Sequence, residues 1–102
     1  MDWYGMSDSA IIKEIGNRLK NYRLRKNCTQ EELAKKSGIS MGSVHKIESG
    51  KAVSFAIVVS AMRTLRLLDN LETFIPAPSI SPVDLLKWRG KIRQRASHGD
   101  RS

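Results

Sequence analysis

The chain has 102 residues, of which 40% are hydrophobic, and its formal net charge is +8. This length is enough for one small domain and excludes two substantial cores, and no apolar run approaches the roughly 18 residues of a membrane span. The positive charge, with a pI near 10.1, favours a polyanionic partner such as nucleic acid, although many proteins are basic for reasons of solubility alone.

The N-terminus carries acids where a signal peptide has basic residues, and no long apolar stretch follows. We therefore expect a cytoplasmic protein. Cys28 is the only cysteine, which excludes an intrachain disulfide and a cysteine cluster for zinc. Neither His45 nor His98 has companions at metal-ligand spacing, so no metal or other cofactor is expected.

Periodicity separates residues 1–8 from the stretch that follows. The first eight residues include Trp3 and Tyr4 without helical spacing, which predicts a flexible extension or an aromatic segment that docks on the domain or a partner. From about Ser9 to Lys26, apolar residues recur mostly at three- and four-residue steps. This spacing predicts an amphipathic first helix.

Capping residues predict two further helices joined by a sharp turn. Thr29 and Glu32 have the spacing of a capping box, so a second helix begins there, and Gly38 can take the left-handed backbone that ends it. Ser40 is the expected N-cap of a third helix, which carries an apolar pair at i, i+3 for the core and stops at Gly50.

Two more helices are predicted before residue 75. Ser54 caps a helix that is apolar on nearly all sides as far as Leu65, which is typical of a central buried helix. A short fifth helix is predicted from about Leu68 to Phe74. The predicted fold class is therefore all-α.

Prolines mark a linker after residue 75. Each proline removes a backbone donor and favours extended structure before it, so the domain of residues 9–75 is expected to end here. Residues 76–102 have a higher density of positive charge, and a basic amphipathic helix capped by Ser81 is predicted, followed by a disordered tail. The apolar face of that helix consists of Leu85, Trp88 and Ile92.

The segment from Cys28 to Lys51 carries a resemblance to a known family. The T-Q-E-E-L-A entry of the second helix, the S-G-I turn and the S-V-x-x-I-E-x-G exit occur together. Over about Ile11 to Ile75 the chain is similar to the lambdoid phage repressor and Cro helix-turn-helix family, also called the Xre family. The resemblance implies a five-helix, lambda-repressor-like DNA-binding domain that acts as a homodimer on a palindromic operator.

The resemblance places DNA contacts on the second and third helices. The glutamine at the start of helix two is expected to grip the phosphate backbone, and side chains near the start of helix three are expected to read base edges. Met41 offers only apolar contact and Gly42 has no side chain, so part of the specificity is expected to come from DNA shape. Lys46 could donate to guanine, and His45 to an acceptor or a phosphate. The expected contact residues are Thr29, Gln30, Ser40, Met41, Gly42, Ser43, His45, Lys46, Ser49 and Lys51.

Two further sets of residues are assigned. Arg23 and Glu48 match positions that form a partly buried ion pair in the phage repressors. Around helix five, apolar side chains offer a dimerisation surface, or alternatively close the core. These side chains are Leu68, Leu71, Phe74 and Ile75.

The leading hypothesis is a transcriptional regulator, acting as an autorepressor and associated with the nucleoid when bound to DNA. The alternative is an antitoxin that also holds a toxin, similar to the DNA-binding partners of HipA-like kinase toxins, with Leu85, Trp88 and Ile92 as the partner-binding face. The same basic tail could instead add phosphate or minor-groove contacts. No nucleophile, base and orienter set and no phosphate-binding glycine loop is present in the sequence, so an enzyme is not expected.

Overall fold

The computed structural model describes residues 1–79, in which all regular structure is helical. Short 3₁₀ helices, Trp3–Gly5 and Leu68–Asn70, precede the first and last α-helices. The predicted all-α class and the five predicted helices are confirmed for this part of the chain. The α-helices are α1 (Asp8–Arg25), α2 (Gln30–Ser37), α3 (Met41–Glu48), α4 (Phe55–Thr64) and α5 (Leu71–Phe74).

The four longer helices begin at side-chain caps. Ser7, Ser40 and Ser54 cap α1, α3 and α4. At the start of α2, the Thr29 hydroxyl accepts from the Glu32 N–H at 3.0 Å, and the Glu32 carboxylate accepts from the Thr29 N–H at 2.8 Å. These two bonds satisfy backbone donors that a helix start otherwise leaves without partners. The predicted capping box is therefore present.

A tight turn joins α2 to α3. Gly38 has a φ of 69°, in the left-handed region that glycine adopts without the clash of a Cβ. The Ile39 N–H then donates to the Ala34 carbonyl at 3.0 Å, and the Ile39 side chain packs against the core. Ser40 follows directly as the cap of α3, so the angle between the two helices is determined within these few residues.

The core is formed by α1 to α4 together with the residues just after α4. Leu65 and Val44 are the largest of its fully buried side chains. Cys28 is half buried and packs against the same cluster. The buried apolar residues are Leu19, Leu33, Ala34, Val44, Ile47, Ala61, Leu65 and Leu67.

The prediction that α4 is a central buried helix is wrong. Ala61 is the buried residue of α4, Phe55 is 60% exposed, and Ile57, Val58 and Met62 are only partly buried. A domain of this size has too little interior volume to enclose a helix on all sides. Helix α4 therefore packs one face against α2 and leaves the other at the surface.

The backbones of α1 and the end of α3 meet at two glycines. Gly16 is buried, and a Cβ at this position would clash with the Ile47 carbonyl oxygen. Gly50 has a φ of 79°, and a Cβ there would lie 2.8 Å from the Lys13 Cα. The close approach holds the carboxyl end of α3 against α1.

The N-terminal residues contact α1 at Arg18, whose Nη2 donates to the Met1 Sδ at 3.7 Å. Trp3 is partly buried, and the Arg18 guanidinium carbon lies 5.0 Å from the centroid of its ring. A cation at this distance from an indole face is attracted by the ring's quadrupole. Tyr4, by contrast, is exposed.

Met1–Leu71 forms one compact unit, and a second unit starts at Glu72. The sequence placed the domain boundary slightly later, after Ile75. Within residues 1–79, none of the helices combines the length and the apolar character needed to cross a bilayer. The predicted helix with Leu85, Trp88 and Ile92, and the tail beyond it, lie outside the described residues.

Candidate nucleic-acid interface

Helix α3 has one buried and one exposed face. Val44 and Ile47 point into the core and are 0% and 5% exposed. The opposite face carries Met41, Gly42, His45 and Lys46, all of them exposed. Two apolar anchors at i, i+3 thus hold the helix in place while a stripe of other side chains remains accessible.

The hydroxyls at the start of α3 are mutually bonded. The Ser40 Oγ accepts from the Ser43 N–H at 3.0 Å and donates to the Ser43 Oγ at 3.0 Å. Because Ser43 Oγ accepts in this pair, its own proton remains free to donate to a phosphate or a base edge. Thr29 occupies a comparable capping role on α2, so the expected DNA contacts of Ser40 and Thr29 compete with capping.

Arg23 and Glu48 form an ion pair between α1 and the end of α3. The Arg23 Nε and Nη2 donate to the two Glu48 carboxylate oxygens at 2.6 and 3.1 Å, and Nη1 donates to the Cys28 carbonyl at 2.8 Å. The two side chains are only 8% and 5% exposed. The hydrogen bonds to Glu48 raise the pKa of the Arg23 guanidinium, so the arginine stays charged despite its burial.

Gln30 links this ion pair to the exposed face of α3. Its Nε2 donates to the Glu48 Oε1 at 2.9 Å, and its Oε1 lies 3.1 Å from the His45 Nε2. The amide has a second N–H that these two contacts leave unused. The expected phosphate contact of Gln30 is therefore compatible with its position, and His45 has a protein partner that its sequence context did not indicate.

The loop after α3 turns at Gly50 towards α4. The Lys51 N–H donates to the Lys46 carbonyl at 2.8 Å, and the Ser49 hydroxyl makes a long bond of 3.4 Å to the same carbonyl. The Ser49 and Lys51 side chains are both exposed beside the end of α3. The loop backbone is thus ordered, and an ammonium and a hydroxyl project from it.

The residues expected to form a dimerisation surface differ in their exposure to solvent. Leu68 and Leu71 are partly buried, whereas Phe74 and Ile75 are 55% and 69% exposed. Within residues 1–79, histidine, cysteine and acidic side chains form no group of three or more that could hold a metal ion. The possible partner-binding residues Leu85, Trp88 and Ile92 lie beyond this part of the chain.

Two contributors to the site were not found from the sequence. The apolar periodicity of α1 does not indicate Gly16, although a glycine inside a helix costs about 1 kcal/mol relative to alanine and usually has a packing reason. The Gln30–His45 contact joins residues on different helices, and no local pattern indicates it.

Comparisons with known proteins agree with this geometry. A family model described as a helix-turn-helix domain matches residues 14–73, which covers all of α2, the turn and α3. The chain is also 54% identical over 35 residues to an uncharacterized HTH-type transcriptional regulator of Methanocaldococcus jannaschii. That alignment covers 34% of this chain and 53% of the relative, so the match spans about half of the relative's length. Since the family model covers more than half of the chain, this protein belongs to the helix-turn-helix domain family.

Proposed function

We propose that this protein is a sequence-specific DNA-binding transcriptional regulator that inserts α3 into the major groove. The observation that carries the proposal is the division of α3 into a core-anchored face and an exposed stripe of Met41, Gly42, His45 and Lys46. A helix of this kind fits the major groove, and residues near its start reach base edges. The relative from Methanocaldococcus jannaschii, named as an HTH-type transcriptional regulator, supports the same function.

Phosphate contacts flank the stripe in this proposal. The spare N–H of Gln30 and the exposed backbone amides at the start of α2 can donate to one phosphate, because the N-terminal end of a helix favours an anion. Lys51 and Ser49 can contact another phosphate from the loop after α3. These contacts position the helix, whereas His45 and Lys46 supply base recognition.

The test is selection of binding sites from random duplex DNA, followed by affinity measurements with Lys46→Ala. Loss of one good base contact costs roughly 1 to 3 kcal/mol and should relax selection at one base pair of the site. Arg25→Ala is the matched control, because it removes one exposed positive charge from the face of α1 opposite Gly16 and so away from α3. Equal losses for both variants, or no binding of any duplex by the wild type, would refute the proposal.

We further propose that the protein acts as a homodimer on a palindromic operator and represses its own transcription from the cytoplasm. A dimer places two copies of α3 one helical turn apart, about 34 to 36 Å, so half-site spacing follows from its geometry. Phe74 and Ile75, which are largely exposed apolar side chains, support a second copy as the occupant of this surface. The lambdoid repressor and Cro subgroup is the proposed place of this chain within the family.

The toxin-binding alternative depends on residues 76–102 and stays a prediction. Under this alternative, the apolar residues Leu85, Trp88 and Ile92 bind a HipA-like kinase. Under the competing interpretation, the positive charges around them contact DNA. Truncation after Ile75 removes both the apolar and the basic residues and separates the two. A smaller salt dependence of DNA binding supports phosphate contact, and unchanged DNA binding with loss of a protein partner supports the antitoxin.

A further inference from the structure

A continuous series of hydrogen bonds runs from a buried charge to the exposed face of α3. Arg23 donates to Glu48, Glu48 accepts from the Gln30 amide, and the Gln30 carbonyl oxygen faces the His45 Nε2. Each donor–acceptor distance in the series is 3.1 Å or less. The series joins α1, α2 and α3, and it ends on a side chain within the proposed DNA-reading stripe.

The chemistry of Glu48 gives this series a direction. An ionised carboxylate only accepts hydrogen bonds, so the Gln30 amide must turn its NH₂ group towards Glu48. The Gln30 Oε1 then faces His45, and because it is an acceptor, the nitrogen opposite must carry a proton. Turning the amide round would place its oxygen against the carboxylate oxygen, two acceptors with no proton between them. The proton of a neutral His45 ring is therefore held on Nε2.

We propose that Gln30 is a positioning residue that fixes His45 as the Nε2–H tautomer and so presents Nδ1 as a hydrogen-bond acceptor. This inference rests on the proposed DNA-binding function, and it specifies what His45 recognises. In the major groove, an acceptor pairs with an exocyclic amino group, which adenine and cytosine offer and which guanine and thymine lack there. Within residues 1–79, Nδ1 has no protein partner that would occupy it.

This assignment reverses the donor role expected for His45 from the sequence. A neutral imidazole has one donor and one acceptor, and the protein uses the donor internally. Only the cationic ring could donate from Nδ1 as well. At a pH where the ring is neutral, His45 should accept from an amino group of the base.

The first test concerns the ring itself and needs no DNA. Full-length protein with His98→Ala leaves His45 as the single histidine, and ¹⁵N spectra of its ring above about pH 8 report which nitrogen carries the proton. We expect Nε2–H alone, and a mixture of tautomers in exchange when Gln30→Ala is added. A ring protonated on Nδ1, or the same spectrum with and without Gln30, would overturn the inference.

The second test concerns base preference. Sites selected by the wild type and by His45→Ala at the same pH should differ at one base pair per half-site, where the wild type prefers adenine or cytosine. Replacing that adenine by purine, or that cytosine by pyrimidin-2-one, removes the amino group and should weaken wild-type binding about fivefold to tenfold, as expected for one hydrogen bond. The same replacement should have no effect on His45→Ala.

The outcomes of these tests distinguish the DNA-binding function from the acceptor role of His45. Failure of the wild type to bind any duplex defeats the DNA-binding function, whereas the tautomer measurement is unaffected by that result. Binding with a preference for guanine at the His45 position, or indifference to loss of the amino group, defeats the acceptor role alone. At a temperature where Gln30→Ala is fully folded, it should still lose part of this preference, which a purely structural role for Gln30 would not produce.

Discussion

The Glu48 side chain links α3 to both α1 and α2. Its two oxygens receive hydrogen bonds from the Arg23 Nε and Nη2 and the Gln30 Nε2, and it lies within the last turn of α3. Breaking a buried pair is costly because the remaining charge is left without a partner in a poorly solvated place. We therefore expect the stability of the domain and the orientation of the proposed DNA-reading stripe to depend on the same carboxylate.

We expect Glu48→Ala to destabilise the protein by about 3 to 5 kcal/mol, since it leaves Arg23 buried and unpaired. Glu14→Ala is the matched control, because Glu14 pairs with Arg18 at 2.9 Å in an exposed i, i+4 contact worth only about 0.3 to 0.5 kcal/mol. Thermal and urea unfolding of the two variants measures the difference. If Glu48→Ala melts like Glu14→Ala, the buried pair does not hold the domain together.

Gly16 and Gly42 should respond in opposite ways to the same added methyl group. Gly16→Ala forces a Cβ against the Ile47 backbone, which cannot rotate away, so destabilisation of about 1 to 3 kcal/mol is expected. At Gly42 the nearest atom to a new Cβ is the Ser40 Oγ at 3.7 Å, an ordinary contact, and alanine should stabilise the helix by up to about 1 kcal/mol. Calorimetry of both variants checks the signs, and a stabilising Gly16→Ala would contradict the described approach of α1 to α3.

At the residue scale, the sequence predicts those roles that depend on a local pattern or on the resemblance to the family. The roles of Thr29, Gly38 and Ser40 follow from their own backbone and side-chain chemistry, and the structure shows each of them at a helix end. The internal partner of His45 could not be predicted, because its contact with Gln30 depends on the angle at which α2 and α3 meet. Contacts of this kind require the assembled fold.

At the scale of helices, boundaries were predictable and burial was not. The caps at Ser40 and Ser54 and the stop at Gly50 are set by neighbouring residues, so the predicted α3 and α4 occur close to their expected positions. How much of a helix is covered depends on what packs around it. The composition of α4 indicated enclosure on all sides, but α2 covers only one of its faces and Phe55 is left exposed.

The capping box of α2 gives the protein a defined acid sensitivity. Backbone and side-chain hydrogen bonds from Thr29 lower the pKa of Glu32 from its ordinary value of 4.5. A carboxyl whose pKa is lower in the folded state stabilises the protein above its ordinary pKa, and this contribution is lost as pH falls through the lowered value. The capping contribution should therefore be complete near neutral pH and disappear in acid.

Glu32→Gln tests this contribution, because glutamine can still accept the Thr29 N–H but does not titrate. From about pH 6 down to about pH 3, the melting temperature of the wild type should fall more steeply than that of Glu32→Gln. Glu31→Gln serves as the control, since it removes an acid from the same turn without removing a capping bond. Parallel curves for the wild type and Glu32→Gln would show that the carboxylate is not held by Thr29.

At the scale of the whole molecule, charge and apolar surface have different uses. The net charge of +8 supplies the sequence-independent attraction to DNA, which falls as salt is added because bound counterions are released. In the proposed function, specificity comes from the few exposed residues of α3. In the proposed dimer, association depends instead on apolar side chains, and in the described residues Phe74 and Ile75 are exposed candidates.

The dimer can be tested with two aromatic residues of similar exposure. Phe74 is 55% exposed at the end of α5, and Phe55 is 60% exposed at the start of α4, outside the proposed interface. Phe74→Asp should shift the wild-type dimer to monomer at micromolar concentration in analytical ultracentrifugation, because a charge in an apolar interface must be desolvated without a partner. Phe55→Asp should remain dimeric, since Phe55 is not among the residues proposed for the interface and an acid suits the first turn of a helix. A monomeric wild type would exclude the dimer, and a Phe74→Asp variant that stays dimeric would place the interface on a different surface. Equal dissociation of both variants would show that the effect is not specific to Phe74.

If the dimer uses Phe74, the monomeric variant should also lose cooperative binding to a palindromic site while retaining binding to a half-site, because each domain keeps its own α3.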